Sequence, residues 1–110
     1  YLMALTTAPS AEAARVLVRS LVERRIVACG TVIPGATSIY RWRGALEEDE
    51  EAVVLLKTTT ARWPDLAAAL PGLHPYEVPE LIAVPILAGH QAYLDWVSAE
   101  TEASVSEQGV

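Results

Sequence analysis

The chain has 110 residues, 52% of them hydrophobic, which suits one packed domain and is short for two. A net charge of -6, with 14 acids set against seven arginines and one lysine, excludes the basic face that a nucleic-acid partner needs. No apolar run approaches the roughly 20 residues of a membrane-spanning helix, so neither nucleic acid nor membrane is expected as a partner.

Leu2 to Thr7 reads as a short apolar strand ended by Pro9. Ser10 is a favourable N-cap, and Glu12 follows in the first turn, where the helix dipole favours an acid. Ala14, Leu17, Val18, Leu21 and Val22 then recur at helical spacing through Arg25, with Arg15, Arg19 and Arg24 mostly on the opposite face. The pattern predicts an amphipathic helix laid on a sheet. Val27 to Arg43 reads as a long strand. Pro34 cannot donate to a ladder and Gly35 permits a bend, so a bulge is expected there. Gly44-Ala45 fits a type II′ hairpin turn, with glycine first. Leu46 to Thr58 forms the returning arm, and the run Ala52-Val53-Val54-Leu55-Leu56 suggests a strand covered on both faces.

A second helix is expected over Arg62–Leu70, with Pro64 in its first turn and Pro71-Gly72 as its end. Glu80 to Leu87 reads as a strand, with Pro85 marking an edge or a distortion. Tyr93, Leu94, Trp96 and Val97 mark a third helix from about His90 to Thr101. The last residues, through Val110, are small and polar and are expected to fray. The order β-α-β-β-α-β with an extra C-terminal helix is that of an α+β, ferredoxin-like domain spanning residues 1–110. Cys29 is the single cysteine, so no intrachain disulfide forms, which fits a reducing, cytoplasmic compartment. The first residue is Tyr1 rather than Met, which leaves room for an upstream segment, a removed targeting peptide included.

Length sets a second expectation. Residues 28–43 would span about 50 Å if extended, whereas a compact globule of this size has a diameter of about 34 Å. The hairpin must bend sharply or reach past its own core, and its outer part carries Ile39, Tyr40, Trp42 and Leu46. Cover by another subunit is the expected solution, because bare apolar hairpins aggregate.

Several residues carry candidate chemistry. His74 is the first metal-ligand candidate, since imidazole suits copper, zinc and nickel. It precedes Pro75, which favours an extended conformation that presents the ring. The alternative is that its ring hydrogen-bonds and orders the loop. Tyr76, Glu77 and Glu80 lie in a loop stiffened by Pro75 and Pro79, where polar groups form a site or serve packing and ion pairing. Lys57, the only lysine, suits a small anion or an interface ion pair. Tyr40 and Trp42 share a strand face and so line a pocket together or pack at an interface.

The run Glu47-Glu48-Asp49-Glu50-Glu51 alternates across the strand, with Glu47, Asp49 and Glu51 on one face. It lacks the glycine and spacing of a calcium loop and reads as a solvated arm. Cys29 has no local base to make it a nucleophile. Phosphate loops and Cys-x-x-Cys pairs are absent, and the chain is not expected to be an enzyme.

Two stretches, Pro34-Gly35-Ala36-Thr37-Ser38-Ile39-Tyr40-Arg41-Trp42-Arg43-Gly44 and His74-Pro75-Tyr76-Glu77-Val78-Pro79-Glu80, resemble the CutA family of divalent-cation tolerance proteins. Thr7-Ala8-Pro9, Ala28-Cys29, Lys57-Thr58 and Tyr93-Leu94-Asp95-Trp96 extend the resemblance along nearly the whole chain. It implies a tight homotrimer in which strands of neighbouring subunits join. It also implies a similarity to the trimeric PII signalling proteins, which bind small ligands between subunits. Copper binding is attributed to some family members. Those members carry a cysteine where this chain has Thr6 and a second histidine where it has Leu73, and His74 is the position retained. The expectation is therefore a cytoplasmic, trimeric divalent-cation tolerance protein that binds copper or another divalent metal at His74. Its site would lie between subunits near Lys57 and the 74–80 loop. The rival readings are a PII-like sensor of a small anion and a purely structural trimer.

Overall fold

The computed structural model describes residues 1–102, so the expected fraying of the tail lies outside the described residues. Strand β1 (Leu2–Ala8) leads into helix α1 (Ala11–Glu23). The Ser10 hydroxyl accepts the Ala13 amide at 3.1 Å, which caps the helix as the sequence predicts. Ala14, Leu17 and Leu21 are buried, while Arg15 and Arg19 face outward. Helix α1 ends where Arg25 adopts a left-handed backbone at φ 58°.

Strands β2 (Cys29–Trp42) and β3 (Ala45–Thr58) form a long antiparallel hairpin. Its register slips by one residue between Ile33 and Ala36, so Pro34 and Gly35 together oppose Ala52 in the expected bulge. Ala52 also faces Ala8, the last residue of β1. The bulge therefore sits where the wider sheet stops and the two-stranded overhang begins. The turn departs from expectation. Trp42 pairs with Ala45, leaving Arg43 and Gly44 as the loop, both with positive φ (50° and 81°). That is the pattern of a type I′ turn rather than a type II′ turn at Gly44-Ala45.

A single 3-10 turn (Thr60–Arg62) precedes helix α2 (Trp63–Leu73), which continues past the expected stop at Leu70. Pro71 lies inside it. Ala67, whose carbonyl loses a donor there, is exposed like Pro71, so water can satisfy that carbonyl. Strand β4 is shorter than the expected Glu80–Leu87, covering only Ile82–Pro85. Pro85 has no amide to offer, and Thr7, which a longer β4 would meet, gives its carbonyl to His74 instead. Helix α3 (Gln91–Glu100) closes the described chain, within the expected span.

The strands lie in the order β2-β3-β1-β4, all antiparallel, so the described residues form an α+β fold with one four-stranded sheet and three helices. Ala4, Thr6, Ala8, Val54 and Leu56 face α1 and α2 and form the core with Leu17, Leu21, Leu66 and Leu70. The other face is covered far less than the apolar run in β3 suggested. Met3, Leu5, Val53 and Leu55 are only half-buried, and Ile33, Ile82 and Val84 are exposed. Helix α3 reaches this face at one end, where the Tyr93 hydroxyl lies 3.4 Å from the Cys29 sulfur. The overhang stretches the molecule to 49 Å along its longest axis and raises the radius of gyration to 15.0 Å. A compact chain of this length would have about 13 Å.

Candidate functional site

The geometry of the site starts at the end of α2. His74 is extended (φ -99°, ψ 139°), as its place before Pro75 predicts. Its Nε2 donates to the Thr7 carbonyl at 2.6 Å, and its Nδ1 accepts the Tyr76 amide at 3.1 Å. A carbonyl only accepts and an amide only donates, so these partners fix a neutral ring with its proton on Nε2. The ring thus ties the 74–80 loop to the end of β1.

This tie aims Tyr76 at the hairpin. The phenol donates to Glu51 Oε2 at 2.6 Å, and Glu51 is only 7% exposed. On the same side of the hairpin the Tyr40 hydroxyl donates to Asp49. The hydrogen bond from Tyr40 to Asp49, with burial and the neighbouring acids, pushes the Tyr40 phenol up to about 12. Burial, followed by the bond to Glu51, raises Tyr76 further. Both phenols therefore stay neutral donors at ordinary pH. Glu77 meets Arg43 at 2.7 Å on the exposed rim, and the Arg43 guanidinium sits 5.2 Å from the centroid of the Trp42 ring.

Between loop and hairpin lies a cleft of about 670 Å³, and Tyr40, Trp42, Tyr76, Glu77 and Glu80 all line it. The structure thus brings together five of the residues singled out in the sequence, with His74 behind them as the anchor of the loop. Sequence reasoning missed Glu51 as a site residue, together with Thr7, Ser38, Ile39 and Val78, which also line the cleft. Glu51 was legible in one respect. It is the acid that abuts the apolar run of β3, and so the one nearest the core.

Lys57 is not part of this cleft. It pairs in register with Met3 and Cys29, and its Nζ donates to Thr31 Oγ1 at 3.5 Å. Met3 is four residues along β1 from Thr7, a distance of about 13 Å. Within one chain Lys57 and the 74–80 loop therefore lie apart, and the site expected from both is one between subunits. Cys29 faces Tyr93, whose phenol is pushed up to about 12 mainly by its bond to the thiol.

A copper ion does not fit the residues at His74. Both ring nitrogens are engaged. Thr6 is fully buried, with its hydroxyl directed at the Thr7 carbonyl, and Leu73 offers no donor. Among the described residues no three His, Cys, Asp or Glu side chains converge as a metal cluster.

The family model for the CutA1 divalent ion tolerance protein matches residues 2–100. The divalent-cation tolerance protein CutA of Thermus thermophilus is 50% identical over 97 residues, covering 88% of this chain and 94% of that one. A solved structure of the divalent cation tolerance protein from Thermus thermophilus superposes with a TM-score of 0.88 at 48% identity, covering 92% of this chain and 98% of that one. Human protein CutA is 43% identical over 104 residues, covering 94% of this chain, which spans only 58% of the human protein. A structure described as the periplasmic divalent cation tolerance protein CutA of Archaeoglobus fulgidus has a TM-score of 0.88 at 29% identity, covering 92% of this chain and 98% of that one. On a match that runs from one end of the described fold to the other, this chain belongs to the CutA1 divalent ion tolerance family.

Proposed function

We propose that the chain acts in divalent-cation tolerance as a cytoplasmic homotrimer that binds and does not catalyse. The observation that carries the assembly is the sheet face opposite α1 and α2. Ile33, Ile82 and Val84 are 45–53% exposed there, beside half-buried Met3, Leu5, Val53 and Leu55. The hairpin beyond the bulge adds Ile39 and Leu46, both more than 60% exposed. Apolar surface of this extent on a small chain favours association with further copies. The cytoplasmic assignment rests on the single thiol. No helix among the described residues is long and apolar enough to cross a membrane.

The role in cation tolerance is supported by the family and by the character of the cleft, whose ionisable lining is acidic or phenolic. That lining disfavours the rival reading as a sensor of small anions, because its one candidate cation, Lys57, lies outside. Copper at His74 is disfavoured by the ring's two hydrogen bonds. Light scattering and calorimetric titration of chelator-treated protein with Cu(II) and then Zn(II) test the proposal. The expected mass is about 35 kDa, three times the 11.8 kDa chain. Saturable binding is expected to survive His74→Ala, while that variant loses about 2–4 kcal/mol of stability from two broken hydrogen bonds. Binding abolished in His74→Ala with the trimer intact would place the metal on that ring. A monomer, or no saturable binding of either ion, would overturn the proposal.

A further inference from the structure

The cleft between hairpin and loop holds a buried carboxylate without a countercharge among the described residues. Glu51 is more than nine-tenths buried, and among the described residues its side chain's one hydrogen-bond partner is the neutral phenol of Tyr76. Among the described residues no lysine, arginine or histidine lies within ion-pairing distance of it. Glu80 on the same cleft is likewise without a cationic partner there, whereas Glu77 is neutralised by Arg43 at the rim. Removing a carboxylate from water without a countercharge is costly, and a buried carboxylate is ordinarily paired. The aromatic rings of Tyr40, Trp42 and Tyr76 line the same space. Rings of this kind attract a cation to their faces, and Trp42 already does so with Arg43 at 5.2 Å. A volume of about 670 Å³ is that of a small-molecule site.

We propose that this cleft binds a small organic cation, an alkylammonium or guanidinium compound. Its N–H groups bond the Glu51 carboxylate while its carbon chain and charge lie against Tyr40, Trp42 and Tyr76. Three features select this class. A carboxylate accepts hydrogen bonds from N–H donors and gains strength when both partners are charged. The rings favour a weakly hydrated organic cation over a hydrated metal ion. The absence of three converging ligand side chains among the described residues leaves a bare divalent ion without a coordination shell. Glu80, on the same wall, suits a second ammonium group, so a diamine fits better than a monoamine. The inference shares this acidic cleft with the cation-tolerance reading but takes a different ligand, and the Cu(II) and Zn(II) titrations test that reading separately.

The same cationic chemistry could be supplied by a lysine or arginine of a second copy of this chain, and the experiment separates the two sources. The protein in its assembled state is titrated with 1,4-diaminobutane, and binding is read from heat and from the indole resonance of Trp42, assigned with Trp42→Phe. Magnesium at equal concentration serves as the inorganic control, and tetramethylammonium as a cation without N–H donors. The expected result is saturable diamine binding with a shift at Trp42, weaker binding of tetramethylammonium and none of magnesium at that site. Glu51→Gln keeps an acceptor for Tyr76 and removes only the charge. It should leave the fold and mass unchanged and weaken diamine binding by roughly tenfold or more. Trp42→Leu should weaken both organic cations, by roughly two- to thirtyfold. Equal binding of magnesium, or full diamine affinity in Glu51→Gln, overturns the proposal. So does the absence of saturable binding, the result expected if a side chain of a second copy already fills the cleft.

Discussion

Two phenols aimed at carboxylates set the local behaviour of the cleft. Tyr40 donates to Asp49 and Tyr76 to Glu51, and each phenol resists ionisation because its anion would face an acid. A phenol whose folded-state value is raised contributes stability that is fully present below its ordinary value of 10.0, and that contribution is lost as pH rises through about 12 for Tyr40. For Tyr76 the loss comes at still higher pH. An ultraviolet titration of tyrosinate absorbance should therefore show a step near pH 12, shared with Tyr93, that loses part of its amplitude in Tyr40→Phe, and a later one that disappears in Tyr76→Phe. A Tyr40 step centred at its ordinary value would mean that the bond to Asp49 is not kept in solution. Half of this arrangement was legible beforehand. Alternation placed Asp49 and Glu51 on one face, and Tyr40 and Trp42 together. Tyr76 meeting Glu51 was not legible, because 25 residues and a helix separate them and only the tertiary fold joins them. The register of the sheet holds Lys57 apart from the 74–80 loop within one chain, so a site that joins them is one between subunits.

Elements with a strong local signal came through intact. Ser10 and a 3.6-residue period defined α1, and Pro34-Gly35 marked the bulge. Elements whose boundaries depend on context did not. Arg43 occupies a left-handed position that only a few per cent of non-glycine residues adopt, so the turn was assigned one residue late. Pro71 sits within α2 because its helix face is exposed. Gly30 shows how tightly the elements pack. A Cβ there would lie 2.7 Å from Val18 Cγ1 on α1 and 2.9 Å from Leu56 Cδ2 on β3. Glycine is needed at Gly30 for close approach of the helix to the sheet. Gly30→Ala should cost about 1–3 kcal/mol by overpacking. Gly72, in α2, has nothing within 4 Å of an added Cβ. Gly72→Ala should instead stabilise by about 0.5–1 kcal/mol, since alanine is the better helix former. Denaturant melts of the two variants read the contrast directly. Equal effects would mean that α1 does not lie this close to β2.

At the scale of the whole molecule, the chain builds one complete interface and leaves another open. The face packed under α1 and α2 is a closed core of fully buried Leu21, Val54, Leu56, Leu66 and Leu70. The opposite face presents Leu5, Val53 and Leu55 with little above them except α3 at one end. The sequence carried this in a form easy to misread. The unbroken run Ala52–Leu56 suggests a strand covered on both faces, but one chain supplies only the first cover and leaves Val53 and Leu55 half-buried. Leu55 lies between Leu5 and Thr31 in the sheet, at the middle of the open face. Its side chain is dispensable for the closed core and central to a subunit contact made through this face. Leu55→Glu should therefore leave the circular dichroism spectrum near that of the parent while releasing chains of 11.8 kDa from the assembly. Burying one uncompensated carboxylate per copy costs more than the lost contacts alone. Light scattering at micromolar concentration reads the result. A variant that keeps a mass of about 35 kDa, three times that of the chain, would show that the copies meet elsewhere, through the hairpin overhang rather than the sheet face.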